Sequence, residues 1–397
     1  MNAPAEKAVT EAFKVDTSKG EMKGDVSRQW ASRPDDQKFL SLGELRDQVA
    51  SWREASFTSE VNPGQITVES KIGDRDYLAI KVGEHTTVNP AHYAFGQICQ
   101  IANVPAYYAR EIPAPLAALN INYGLQSVDQ KQVSAYLMDG EKQSIRGVTS
   151  TRYGRIFDEE VVNSVMKIAG QGTGDTRWKV PGVIDWSAGT YNPFVDITKE
   201  TTTLYASDRD VFLFLVDDTH PIEIGKLDSG EPDLYFRGFY VWNSEVGART
   251  FGIATMYLRG VCQNRNLWGV EGFKELTFKH TSGAPDKFIA DAEPSLLSFS
   301  EANTDKVVAG VIAAKKSPIA LGPITDDDRV EFLVKFGLTK KQAQQAIKIG
   351  EAEESRKPSS VWDMAQAVTA MARVEQHQDR RLMIEQIGGK MLDKVAA

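Results

Sequence analysis

Tyr235–Trp268 reads YFRGFYVWNSEVGARTFGIATMYLRGVCQNRNLW. Two runs rich in aromatic and β-branched residues flank the polar turn Asn243-Ser-Glu-Val-Gly247, which predicts two antiparallel strands, Leu234 to Trp242 and Arg249 to Val261. Alternation sorts the first strand into one face with Tyr235, Arg237, Phe239 and Val241 and another with Phe236, Gly238, Tyr240 and Trp242. Upstream, Val211-Phe-Leu-Phe-Leu-Val216 is a continuous β-favouring run, too short for a typical helix and bounded by Asp210 and Asp217-Asp218. It should be a third strand, buried on both faces. Residues 176 to 280 therefore predict a largely antiparallel, meandering sheet.

On either side of this sheet the period changes. Leu42, Leu45, Val49 and Trp52 recur at helical spacing behind Ser41, a cap. Ile66 and Val68, then Tyr77, Ala79 and Lys81, alternate around Gly73-Asp74 as a hairpin. Asn89-Pro90 is a helix-start signal, and the helix would bury Phe95, Ile98, Cys99 and Ala102; Pro105 and Pro113 restart the chain twice more through Tyr123. Val133 to Leu137 and Ser144 to Val148 flank Asp139-Gly140 as a second hairpin, and Asp158 to Ile168 follows as a helix with acids in its first turn. After Asp291 the chain turns helical. Thr325, Thr339 and Ser360 read as caps, Met383, Ile387 and Met391 mark a last helix whose stripe faces a core, and Lys315 to Pro323 reads as a linker.

The expectation is an α+β fold: a central, largely antiparallel sheet with packed helices, an amino-terminal helical and hairpin unit, and a carboxy-terminal small helical bundle. Residues 1–40 are expected to be mostly disordered, 41–128 to form the amino-terminal unit, 129–314 the central β-rich domain and 324–397 the bundle. The 397 residues, 42% hydrophobic and 25% charged, suit two or three globular domains on the prior of roughly 100–200 residues each. No apolar run reaches the ~18 residues of a membrane span, and the first residues lack the apolar block of a secretory signal, so a cytoplasmic location without membrane contact is expected. Two cysteines, Cys99 and Cys262, are too few for a disulfide framework or a cysteine-rich zinc site.

Charge supplies the first functional clue. The chain carries a formal net charge of −8, which argues against indiscriminate binding to nucleic acid. Between Leu234 and His280, however, Arg237, Arg249, Arg259, Arg265, Lys274 and Lys279 outnumber Glu245, Glu271 and Glu275. Guanidinium groups hold phosphates and aromatic faces stack unpaired bases, so the stretch is a candidate single-stranded-DNA site, with Arg237, Arg249, Arg259 and Arg265 on phosphate and Tyr240, Trp242 or Trp268 on bases. Aromatics at alternate positions of an antiparallel strand are also ordinary core or cross-strand pairs, and the two roles can occupy opposite faces.

Three other constellations compete. Asp208, Asp210, Asp217 and Asp218, with His220, bracket the buried strand, and carboxylates at strand ends can hold Mg²⁺ for phosphodiester hydrolysis; aspartate is equally a turn residue. Cys262, Asn264 and His280 are the types of a nucleophilic set, although a lone cysteine beside Val261 is more often inert core. Gly170, Gly172 and Gly174 form a loop that lacks the Lys-Ser/Thr and the spacing of a phosphate cradle. The other histidines, His85, His92 and His377, show no metal-ligand spacing.

The pattern R-x-V-x-S-x-R-Y at Arg146 to Tyr153, the Asn243-Ser-Glu-Val-Gly247 turn, Val261-Cys-Gln-Asn264 and Lys279-His280-Thr281 resemble, in order, motifs of an uncharacterised family of phage- and plasmid-encoded proteins. Ser27-Arg-Gln-Trp30 and Phe39-Leu-Ser-Leu42 add to the likeness. The resemblance covers roughly residues 140 to 285, implies a mobile-element context and brings no catalytic residues. The expected function is a DNA-metabolism protein that binds and could anneal single-stranded DNA as a homo-oligomer, without cofactor or chemistry of its own. Its rivals are a Mg²⁺-dependent phosphodiesterase or nuclease using the four aspartates, and a non-catalytic interaction protein whose helical tail docks a partner.

Overall fold

Val211 to Val216 carries no side chain that a wet surface needs, and it lies in the middle of a large sheet. The computed structural model describes residues 34–396 except 74–75, 130–131, 140–142, 182, 185–190, 193–195, 227–229, 231, 260–264, 267–274, 302–304 and 376–377. In chain order, β1 (Lys38–Phe39) leads to α1 (Leu42–Glu54), β2 (Ser56–Val61), β3 (Ile66–Lys71), β4 (Tyr77–Val82), β5 (Asn89–Pro90), α2 (His92–Ile101), α3 (Ala106–Glu111) and α4 (Ala114–Ser127). Next come β6 (Val133–Met138), β7 (Ser144–Ser150), α5 (Asp158–Ala169), β8 (Trp178–Lys179), β9 (Val183–Ile184), β10 (Tyr191–Asn192), β11 (Leu204–Ala206), β12 (Val211–Lys226), β13 (Pro232–Asn243), β14 (Phe251–Arg259), β15 (Arg265–Asn266) and β16 (Glu275–Phe278). The remainder is helical: α6 (Ala284–Glu301), α7 (Asp305–Lys316), α8 (Asp326–Lys335), α9 (Lys340–Glu354), α10 (Val361–Arg373) and α11 (Gln378–Ala396).

The fold is α+β. Its central sheet runs β1-β11-β12-β13-β14-β15, with β8 also on β12 and β16 also on β14, and every pairing is antiparallel. Alternation gives two buried faces. Leu213, Leu215, Phe239, Val241, Phe251 and Ile253 pack against Leu45 of α1, Val162 of α5 and Phe288 of α6. Phe212, Phe214, Val216, Tyr240, Trp242 and Met256 form a second core on the other face. Full burial of each such side chain contributes roughly 1.5–3 kcal/mol. Gly252 stands opposite Trp242, where a Cβ would fall 1.9 Å from the indole, so only glycine lets the ring cross β14 there.

A second sheet, β2-β6-β7-β5, shares a core with the β3-β4 hairpin and with α2, α3 and α4. β6 pairs with β2 from Val133↔Val61 to Met138↔Ser56, so the expected boundary at residue 128 cuts through a sheet and the amino-terminal unit runs on to β7. A lone β6-β7 hairpin is marginal in water, and β2 supplies the third strand it needs. Asn89-Pro90 is also corrected: it forms β5, parallel to Ser144-Ile145, and the helix begins at His92. The Asn89 and Ala91 amides bond Gln143 and Ile145 carbonyls, so β7 takes the donors that a cap would have served.

At the other end of the molecule, Val311 of α7, Leu333 of α8, Ala346 of α9, Val368 of α10 and Leu392 of α11 share a core that also reaches Ile222, Tyr235 and Tyr257 of the sheet. The bundle thus recruits α7, which the expected boundary at 314 had assigned to the central domain. The expected linker is tied down, with Val361 N bonding Ser317 O and Ile319 N bonding Ser359 O. The caps fall where expected: the Thr325, Thr339 and Ser360 hydroxyls accept from Asp328, Gln342 and Asp363 amides. Of the methionine stripe, Met391 is core and Met383 is 62% exposed. Lys38-Phe39 pairs with Tyr205-Leu204, so regular structure starts inside the segment expected to be disordered, while residues 1–33 lie outside the described residues.

Candidate functional site

The Asn243–Gly247 turn is the most heavily bonded polar feature of the central unit. It follows β13, where the strand leaves the sheet between the two cores, and the amino-terminal unit closes over it. Its four successive carbonyls are each taken by a side chain. Tyr153 Oη donates to Ser244 O at 2.8 Å, the Arg155 guanidinium to Glu245 O, Gln97 Nε2 to Val246 O at 2.9 Å and Tyr93 Oη to Gly247 O at 2.9 Å. Gln97 also accepts from Val148 N at 2.8 Å, so one amide bridges β7 and the turn.

The turn's own side chains reach back into the same network. Glu245 lies 2.8 Å from Arg146 Nη1, with both side chains 2% exposed, and accepts from Asp158 N at 2.9 Å. Asn243 Nδ2 donates to Ile156 O and, at 2.7 Å, to Asp158 Oδ1. Burial first, and then the Glu245 carboxylate, hold the Asp158 carboxyl well above the usual carboxylate range. Loss of water pushes Asp208 up to about 6, with Arg146 pulling the other way. Arg155 lies 4.0 Å over the Tyr136 ring, and His280 stacks on Tyr153 with centroids 4.8 Å apart while its Nδ1 meets Gly154 O. Burial lowers the His280 pKa below its ordinary value.

Three motifs that read as scattered in sequence therefore meet: Arg146 to Tyr153, Asn243 to Gly247 and His280. Sequence reasoning named these residues without seeing that they touch, because their separations are set by sheet topology. The network's charges are directed at one another, which is the chemistry of a docking joint. Beside it, a groove of about 510 Å³ is lined by Gln97, Gln100, Gln132, Thr149 and Ser150 with Ile101, Val133 and Val148, a neutral amide and hydroxyl surface.

Of the proposed nucleic-acid residues, the four with described side chains, Arg237, Arg249, Tyr240 and Trp242, make internal contacts. Tyr240 and Trp242 are buried and stack on each other at 5.2 Å, so neither offers a face to a base; this corrects the expectation for both. Arg237 is buried too, and its guanidinium donates to Phe299 O of α6 at 3.1 Å. Burial lowers its pKa from the usual arginine value. Arg249, at the far end of the β13-β14 ladder, pairs with Asp210 at 2.9 Å and lies 4.8 Å over the Phe212 ring. Both arginines compensate buried polar atoms, the role expected of a guanidinium inside a sheet domain. Arg259 and Arg265 lie in β14 and β15 with side chains outside the described residues, as does Trp268.

The four aspartates split into two pairs, Asp208 with Asp210 and Asp217 with Asp218. Asp210 immediately precedes β12 and Asp217 lies seven residues on, about 23 Å along an extended chain. Asp210 is held by Arg249 and Ser207, Asp217 by Arg177, Thr219 and His220, and Asp218 by Lys179. Burial raises the Asp217 carboxyl, but bonds from His220, Thr219 and Arg177 more than offset this and leave it below its ordinary value. Among the described residues no group of three or more His, Cys, Asp and Glu side chains is placed to hold a metal. Cys262 and Asn264 lie outside the described residues, whereas Cys99 is core and burial pushes its thiol up to about 12.

One surface went unread in the sequence. On α9, Lys340, Lys341, Gln344, Gln345 and Lys348 are all exposed, while Ala343, Ala346 and Ile347 face the bundle core. The signal was present as five polar residues at helical spacing with no acid among them.

No family model, curated protein or solved structure matches the chain. Among the described residues no helix is long and apolar enough to cross a membrane.

Proposed function

We propose that the protein binds DNA and performs no chemistry of its own, serving the DNA metabolism of a mobile element. The observation that carries this is the solvent face of α9, where three lysines and two glutamines stand together on a chain of net charge −8. A local basic face on an acidic protein concentrates phosphate contacts in one place and repels nucleic acid elsewhere. The mobile-element context rests on the motif resemblance alone. Single-stranded DNA is the ligand expected for the Tyr235–Trp268 stretch; with Arg237, Arg249, Tyr240 and Trp242 inside the protein, that contact depends on Arg259, Arg265 and Trp268.

The test is a shift assay with the full chain, offering an oligo-dT strand and a mixed-sequence duplex in parallel. Binding at low salt that weakens steeply between about 50 and 200 mM supports the reading, because each phosphate contact releases a counterion. If neither DNA binds at low salt, the reading fails.

A further inference from the structure

We propose that α8 and α9 form a helix-turn-helix and that the amino-terminal half of α9 enters the major groove of duplex DNA. The inference rests on the DNA-binding reading and names its partner and its reading element.

The connection has the right length and chemistry. α8 ends at Lys335 and α9 starts at Lys340, leaving the four residues Phe336 to Thr339, within the span of such turns. Gly337 takes φ +105°, a conformation that favours glycine, and sends the chain directly into the next cap. The Thr339 hydroxyl accepts from Gln342 N, and the Gln342 side chain returns to Thr339 N, so the first turn of α9 is fixed by its own capping box. Leu333, Leu338, Ala343, Ala346 and Ile347 anchor the pair in the bundle core, and α9 packs on both α8 and α10. A reading helix needs this rigid support behind its exposed face.

The exposed face fits a groove floor and its walls. At 100° per residue, Lys340, Gln344, Lys348, Lys341 and Gln345 fall within an arc of about 140°. Among the described residues no salt bridge holds any of the three lysines. Acids begin on this helix only at Glu351, one turn beyond Lys348, and the Asp326-Asp327-Asp328 cluster lies at the opposite end of α8. Charge therefore favours the amino-terminal half of α9, the part that reaches base edges in helix-turn-helix proteins. Glutamine bonds adenine through N6 and N7, and lysine bonds guanine O6 and N7 or phosphate, so this face carries both kinds of contact. Duplex DNA is preferred over a single strand here because the face has no exposed aromatic ring to stack on a base.

The experiment uses the full chain and a duplex selected from a randomised library, with Lys341→Glu/Lys348→Glu as the charge variant and Gln344→Ala/Gln345→Ala as the readout variant. The charge variant should weaken duplex binding by about tenfold or more at low salt and reduce the salt slope by roughly two. The glutamine variant should keep the salt slope and flatten the selected sequence preference. Lys341→Arg/Lys348→Arg should bind as the parent does, and unchanged melting of all variants shows that folding is intact. If the parent binds only oligo-dT, or if duplex binding is indifferent to the charge reversal, the helix-turn-helix assignment falls while DNA binding stands. If the parent binds neither DNA, both fall; α9-dependent binding to phosphatidylserine vesicles without DNA binding also overturns the assignment.

Discussion

Arg146 Nη1 lies 2.8 Å from Glu245 Oε2, and each side chain is 2% exposed. A buried pair of this kind is costly to break from one side because the survivor is left charged in a poor solvent, at about 3–5 kcal/mol. Arg146→Met should therefore lose most of that amount in urea denaturation, and adding Glu245→Leu should recover a large part of it. A single variant that loses under about 1 kcal/mol would show that the carboxylate finds water.

The same network makes stability depend on pH in two opposing ways. The Asp208 carboxyl titrates at about 6 in the folded protein against an ordinary 3.8, so the folded chain keeps a proton that the unfolded chain has released. Its contribution is full below pH 3.8 and falls as pH rises to about 6. Asp208→Asn should flatten that limb. For His280 the shift is downward from 6.5, so the unfolded chain gains a proton first and stability falls as pH drops below 6.5. His280→Asn should weaken that second dependence. Denaturation midpoints across pH 4 to 8 test both, and profiles identical to the parent's would refute the assignments.

Arg249→Ala should act on folding. Asp210 is 0% exposed and pairs with Arg249 at 2.9 Å, so truncation should cost about 3 kcal/mol. Lys341→Ala, on the exposed face of α9, should leave the melting temperature unchanged. The reverse ranking in a thermal melt would contradict the placement of both residues.

Gly252→Ala tests the close approach of Trp242. A methyl group 1.9 Å from the indole forces the ring or β14 to move, at a cost of about 1–3 kcal/mol. An unchanged denaturation midpoint would mean that the ring has room elsewhere.

What could be read from the chain depended on range. The Val211 strand, the β13-β14 pair and the three capped helices were legible because period, turn chemistry and caps act over a few residues. The β2-β6 pairing was not, since nothing in either strand specifies a partner some 75 residues away, and Asn89-Pro90 misled because a long-range strand took the amides that local rules assign to a cap. Aromatic and arginine density on β13 was read as surface chemistry, but a sheet buried on both faces also collects aromatics and then needs arginines to satisfy what they enclose. Three of the quoted motifs proved to be neighbours, a relation visible only once the chain was folded.

The grip on Ser244 to Gly247 has a consequence for how this protein can be altered. Because the donors Tyr93, Gln97, Tyr153 and Arg155 all come from outside the central sheet and all act on main-chain oxygens, neither part can be cut away or exchanged as a module without stranding four acceptors. The buried Val246 gives the grip its carbonyl while its side chain packs against Gly147, so added bulk there would push the turn away, and inserting one residue into the turn would misalign every bond at once. The joint is intolerant of length and, at the buried Val246, of bulk.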